Sequence, residues 1–194
     1  MEYRQLGNSG VRVSVVGLGT NRFGSKEVGQ AEVNRLIDGA LEAGVNFIDT
    51  ANVYNDGRSE ETLGHALKGH LDRVVVGTKF SFPRKSSANS WGASRYHMIQ
   101  AVEQSLRRLQ TDRLDLLYCH RWDDTTPIEE TLRGLDDLIR AGKVTYIGAS
   151  LYASWQLAHA IVSPRKAEPV VLARSVISSF RFFASSMKIE PVLS

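Results

Sequence analysis

Cysteine is almost missing from this chain. Cys119 stands alone, so no disulfide can form within it. It lies inside the apolar run LDLLYC, where a buried structural thiol is expected, and such usage suits a reducing compartment such as the cytoplasm. Long apolar runs are absent too; none approaches the ~20 residues that cross a bilayer. The start, MEYRQLGNSG, lacks the basic-then-apolar order of a secretory leader. No membrane association is expected. Neither sign of charge dominates the body. The net charge of +3 is carried from Ser163 onward, where Arg165, Lys166, Arg174, Arg181 and Lys188 face only Glu168 and Glu190. A neutral body argues against a nucleic-acid partner. His65, His70, His97, His120 and His159 lack ligand spacing with each other or with Cys119, so no metal is expected. No serine nucleophile elbow occurs. GLGTNRFG is glycine-rich without the G-x-G-x-x-G order, which removes support for a Rossmann dinucleotide site.

What is present is alternation. YRQLGNSGVRVS reads as a small β-hairpin turning at Asn8-Ser9-Gly10. VSVVGLGT, VNFIDTA, VVVGTK, LDLLYCH, VTYIGAS and PVVLA then read as strands, separated by amphipathic helices. The first helix shows Val33, Leu36, Ile37, Ala40 and Leu41 on one face, and the third shows Ile99, Val102, Leu106 and Leu109. Gly44, Gly69 and Gly142 mark helix ends. Ser59 reads as the N-cap of the second helix, and Thr126-Pro127-Ile128-Glu129 as a capping box with Pro127 at the first helical position. Continuous apolar strands alternating with helices mean a parallel sheet covered by helices. The 194 residues read as one α/β domain, 1–194, with a divergent basic and aromatic tail over 163–194. The segment SFPRKSSANSWGAS falls beyond a strand's C-terminal end, where a substrate-side loop and a simple solvated loop are equally open readings.

Four side chains lie at the C-terminal ends of these strands or just beyond: Asp49 and Tyr54, Lys79, and His120. Each alone has a structural reading, as a helix cap, a half-buried aromatic, a solvated charge or a core histidine. Parallel βα folds, however, gather strand-end residues into one small volume. There an ammonium favours a phenolate and so eases proton donation by a tyrosine. A buried lysine needs a carboxylate, and a histidine can polarise a carbonyl oxygen. Together the four make a proton-donating site for carbonyl reduction.

The motifs VVGLGTNRFG, FIDTANVYNDGRSEETLG, VVVGTKF and LQTDRLDLLYCHRWDDTTPIEETLRGLDDLIRAGKVTYIGAS, with EPVVLARS more weakly, resemble the aldo-keto reductase family. They favour the branch of bacterial and plant-like members that also resembles potassium-channel β subunits. The resemblance runs from about residue 3 to 160. It implies a TIM-type parallel (β/α) barrel with an N-terminal hairpin, incomplete here at about six of eight βα units. It implies an NADPH-dependent oxidoreductase reducing aldehydes or ketones, with Tyr54 as general acid, Lys79 lowering its pKa, Asp49 paired with Lys79, and His120 orienting the carbonyl. Gly19, Thr20, Asn21, Asp49 and Ser150 match positions near the cofactor NADPH, Ser150 at the nicotinamide carboxamide. The partner implied is a small-molecule carbonyl substrate. Leu151 departs from an asparagine that many relatives carry, and Arg174, Ile177 and Ser178 depart from their Gln and Tyr-Asn. Nothing in the tail matches barrel strands seven and eight, whose loops carry the clamp for the cofactor's phosphates, so weak NADPH binding is expected. A self-association covering open barrel edges is a further expectation. The readings that compete with an enzyme are a non-catalytic regulatory subunit and an inactive truncated member of the family.

Overall fold

The computed structural model describes residues 1–83, 87–163 and 181–183. The hairpin forms from β1 (Tyr3–Gln5) and β2 (Arg12–Ser14), paired antiparallel. Its positive φ falls on Gly7 at +58°, not on Asn8-Ser9-Gly10. Ser9 instead turns its hydroxyl back to the Leu6 carbonyl at 2.7 Å. Then come β3 (Val16–Gly19), α1 (Gln30–Glu42), β4 (Phe47–Asp49), α2 (Arg58–Ala66), β5 (Val75–Phe80) and α3 (Arg95–Leu109). They are followed by β6 (Leu114–Cys119), α4 (Ile128–Arg140), β7 (Val144–Ala149), α5 (Ser154–Val162) and β8 (Arg181–Phe183).

Strands β3 to β7 lie side by side in sequence order, and every pairing among them is parallel. A doubly wound sheet reverses its order at a switch point. An unreversed order carries the chain one way around, as in a (β/α) barrel, here an incomplete one. β8 pairs parallel with β3 on the edge away from β4. Residues 181–183 fall in the expected tail; three residues are too few to show a period, so the strand is not legible from residue types. The expected strand PVVLA and the departures Arg174, Ile177 and Ser178 lie outside the described residues.

Strand parity decides what faces the interior. Side chains alternate across a strand, and registered residues of parallel neighbours share a face. Ile48, Val76, Phe80, Leu117, Cys119 and Ile147 pack into the large core with Val33, Ile37, Leu63, Met98, Leu106 and Leu138 of the helices. Phe47, Leu116 and Tyr118 face the other way, into a second cluster with Leu6 and Val13 of the hairpin. The hairpin therefore covers the inner face near the strands' N-terminal ends. Continuing along that inner parity brings Asp49, Lys79, His120 and Ser150 to the opposite end.

The inner layer is crowded. A Cβ on Gly148 would meet the Tyr118 ring at 2.6 and 2.7 Å, so glycine is what leaves room for that ring. Helices α1 and α4 end as read. Gly44 (φ +81°) and Gly142 (φ +69°) take the left-handed position after α1 and α4. Three local expectations change. The second helix starts after Gly57 (φ +88°), and Ser59 lies inside it, bonded across to the strand ends rather than capping. Thr126 donates to Asp123 at 2.7 Å instead of capping α4, whose N-cap is Pro127. Ile99 is 41% exposed; the buried face of α3 runs through Met98, Ala101, Val102, Ser105, Leu106 and Leu109, one residue out of phase with it. Among the described residues no helix is long and apolar enough to cross a membrane.

Candidate active site

Asp49 ends β4 on the inner face. Strand-like pairing continues past it: the Thr50 N–H donates to the Gly77 carbonyl at 2.8 Å, and the Asn52 N–H to the Lys79 carbonyl at 3.0 Å. The chain then turns sharply. Asn55, Asp56 and Gly57 have φ of +48°, +56° and +88° in succession. These are the residue types that tolerate left-handed backbone best. Asn55 pins the turn to the loop after β3 by donating to the carbonyls of Asn21 and Phe23, both at 2.9 Å. Tyr54 is thereby held, half-buried, over the strand ends.

Lys79 is 2% exposed. Its ammonium donates to Asp49 Oδ2 at 2.5 Å and to the Thr50 carbonyl at 2.8 Å. A cation so deeply placed needs both partners, since desolvation costs several kcal/mol per ion in effect. Burial also presses on Asp49, raising its pKa by more than the Lys79 ammonium pulls it down. The ammonium stands 5.2 Å from the Tyr54 ring centre and 5.8 Å from that of Tyr118. These two phenols are not equivalent. Tyr118 is 6% exposed, and burial, then the Asp49 charge, push its hydroxyl up. Tyr54 is the phenol of the pair open to an incoming molecule.

His120 follows β6, its N–H donating to the Phe80 carbonyl at 2.9 Å. Its ring lies edge-on to Tyr54, with centres 6.1 Å apart, and edge-on to Phe82 at 4.5 Å. Burial, then the Lys79 charge, push its pKa down to about 4. The imidazole is therefore neutral at pH 7. Ser150 continues the same rim: its N–H donates to the Cys119 carbonyl at 2.9 Å, beside His120, and the residue is buried.

On the β3 side, Gly19 is registered with Asp49. Thr20 is wholly buried, and its polar groups are engaged inside the fold. Its N–H and hydroxyl go to the Asp49 carbonyl at 3.0 and 3.1 Å, and its carbonyl accepts from the Ser59 hydroxyl at 2.8 Å. Ser59 also contacts the Thr50 hydroxyl at 2.9 Å. This hydroxyl cluster holds the backbone at 49–50, and through it the carbonyl that Lys79 uses. Thr20 thus shapes the rim, while Asn21 is exposed on it. Asp49, Tyr54, Lys79 and His120 do come together at one strand-end site, with Gly19, Thr20, Asn21 and Ser150 around its border.

Sequence reasoning missed several neighbours. Asn52 is 1% exposed, and its side-chain oxygen has no hydrogen-bond partner among the described residues. Its position between Asp49 and Tyr54 was a usable signal. Phe82, whose ring meets His120 from the loop after β5, offered none. Cys119 is buried on the helix side, its thiol pushed up to about 12 by burial. Among the described residues no group of His, Cys, Asp and Glu could hold a metal ion. An open groove lined by Glu103, Arg107, Arg113 and Lys143 lies where β6 and β7 begin, at the other end of the sheet, and contains none of the site residues.

The model of the "Aldo/keto reductase family" matches residues 15–181. Versiconal hemiacetal acetate reductase of Aspergillus parasiticus is 40% identical over 181 residues, covering 80% of this chain and 52% of that protein. A norsolorinic acid reductase of Aspergillus flavus is 40% identical over 162 residues, covering 76% and 42%. A probable voltage-gated potassium channel subunit beta of Oryza sativa is 39% identical over 163 residues, covering 82% and 49%. The chain spans about half the length of these curated relatives. With its sheet order, its strand-end constellation and a family match over most of its length, the chain belongs to the aldo/keto reductase family.

Proposed function

We propose that the protein reduces aldehydes or ketones to alcohols with NADPH, Tyr54 acting as the general acid. The observation that carries this reading is one ammonium, Lys79, held between Asp49 and the rings of Tyr54 and Tyr118, with a neutral histidine edge-on to Tyr54. When a carbonyl is reduced, negative charge develops on its oxygen as the carbon receives hydride. Tyr54 gives its hydroxyl proton to that oxygen. The nearby Lys79 charge stabilises the phenolate left behind, and Asp49 pairs with that lysine in its buried place. His120 donates a hydrogen bond to the carbonyl oxygen and polarises it. Being neutral until about pH 4, it does not compete as the proton source at neutral pH.

NADPH, when bound, supplies the hydride. The residues at the rim fit its nicotinamide end in kind: Ser150 is buried at a strand end, and the unpartnered Asn52 oxygen is an acceptor suited to an amide N–H. Gly19, Asn21 and Asp49 complete that border. A second reading, a non-catalytic regulatory subunit working in the cytoplasm, is favoured by the likeness to the rice protein. NADPH oxidation followed by absorbance with a panel of aldehydes and ketones separates the two. Turnover that collapses in Tyr54→Phe supports the reductase; no turnover despite tight NADPH binding supports the regulatory subunit.

A further inference from the structure

Two residues beyond Lys79 the backbone takes an unusual course. Ser81 has φ +97°, a conformation that serine adopts only when its surroundings impose it. Three bonds impose it here. The Gly92 N–H donates to the Ser81 carbonyl at 3.0 Å, the Arg121 N–H to Ser81 Oγ at 3.2 Å, and Ser81 Oγ to the Arg121 carbonyl at 3.4 Å. The loops after β5 and β6 are thus locked together at a residue that is 1% exposed. The lock aims Phe82. One side of that ring meets His120 at 4.5 Å, and the Arg121 guanidinium lies 5.5 Å from its centre. Arg121 is exposed, and among the described residues it has no carboxylate within ion-pair distance. The acids beside it are occupied. Asp123 accepts from the Ala93 and Thr125 N–H groups and from the Thr125 and Thr126 hydroxyls, and Asp124 accepts from the Trp122 indole at 2.6 Å.

We propose that Arg121, carried on the Phe82 ring, is a specificity-determining residue that selects carbonyl substrates bearing an anionic group, a carboxylate or a phosphate. The inference rests on the site being the carbonyl site described above. The steps of 4.5 and 5.5 Å put the guanidinium within about 10 Å of the His120 ring centre. An anion a few bonds from the reacting carbonyl reaches it while the carbonyl sits against His120 and Tyr54. A planar guanidinium held at 5.5 Å from a ring centre by a cation–π contact keeps N–H groups free for a two-pronged bond to such a group. It acts by holding the far end of the substrate, so its effect falls on binding and KM, not on kcat.

The test compares 4-carboxybenzaldehyde with benzaldehyde, a rigid pair differing by one carboxylate group. Glyceraldehyde 3-phosphate is compared with glyceraldehyde in parallel. Binding of each to the whole chain is read by ligand-observed NMR, which needs no turnover, and kcat/KM is measured alongside with NADPH. We expect the charged member of at least one pair to be preferred by tenfold or more. Arg121→Met should erase the preference, Arg121→Lys should keep part of it, and both should leave the neutral compounds within about twofold. The pair showing the larger preference identifies carboxylate or phosphate. Equal binding of charged and neutral members in the natural chain, or a preference surviving in Arg121→Met, would overturn the proposal. Loss of the charge preference with no turnover of any aldehyde would uphold Arg121 as an anion contact and count against the reductase reading alone.

Discussion

Replacing Lys79 with methionine tests the centre of the site, because the buried ion pair and the proposed support of the Tyr54 phenolate are separable roles of that lysine. Methionine keeps much of the aliphatic stem and removes the ammonium. Asp49, 7% exposed, then loses its partner at 2.5 Å, and the Thr50 carbonyl loses a donor at 2.8 Å. Breaking one side of a buried pair costs about 3–5 kcal/mol, because the remaining charge stays uncompensated. The lost bond to the carbonyl adds about 1 kcal/mol. The cost should shrink as pH falls, since burial already raises Asp49, and without Lys79 its carboxyl accepts a proton more readily still. The second arm is Asp49→Asn with Lys79→Met, which removes both charges. Buried pairs exchanged for neutral groups often cost little, so the double variant should recover about 1–3 kcal/mol over Lys79→Met. Its reductase activity should stay lost, because no ammonium remains to stabilise the Tyr54 phenolate. Urea unfolding at pH 7 and at pH 5 gives the energies, and NADPH oxidation gives the rates. A cost below about 1 kcal/mol for Lys79→Met, or a double variant no more stable than the single, would refute the buried-pair reasoning. Activity restored in the double variant would refute the role of the charge.

Tyr54→Phe should lower kcat by roughly 100- to 10,000-fold with the fold unchanged by circular dichroism, as loss of a general acid does. Gly148→Ala should destabilise by about 1–3 kcal/mol in urea, because its Cβ would press on the Tyr118 ring at 2.6 Å and that ring is enclosed. Stability should also fall as pH drops from 6.5 towards 4: the unfolded chain takes up a proton on His120 across that window and the folded chain refuses it. The loss from this residue is on the order of 1–3 kcal/mol, and His120→Gln should flatten the unfolding midpoint over the same range.

Much of the fold was legible because its signals repeat. Apolar strands recur with helices between them, and the glycines closing α1 and α4 fall where helices need them. Signals that occur once were read less well. Ser59 has the residue type of a cap, yet tertiary contact with Thr20 and Thr50 claims its hydroxyl, while Gly57 starts the helix from a left-handed conformation. Ile99 is as apolar as its neighbours and lies exposed, because the helix phase is set by Met98 and Val102, which face the sheet. Arg181–Phe183 pairs with β3 through backbone bonds, and such bonds leave no trace in residue type.

The site divides along the same line. Asp49, Lys79 and His120 sit on strands or directly after them, and strand parity carries them to one face; reading the strands correctly was almost enough to bring them together. Tyr54 depends on a turn, but that turn is written in Asn55-Asp56-Gly57, three residues suited to the left-handed conformations they adopt. Phe82 and Arg121 are different. Their placement depends on Ser81, whose φ of +97° runs against the preference of serine and is imposed by bonds from Gly92 and Arg121. A conformation enforced by distant partners cannot be read from the residue that adopts it. Parity could therefore reveal the groups proposed to move the proton, whereas the groups proposed to choose the substrate emerge only when the two loops are seen locked together.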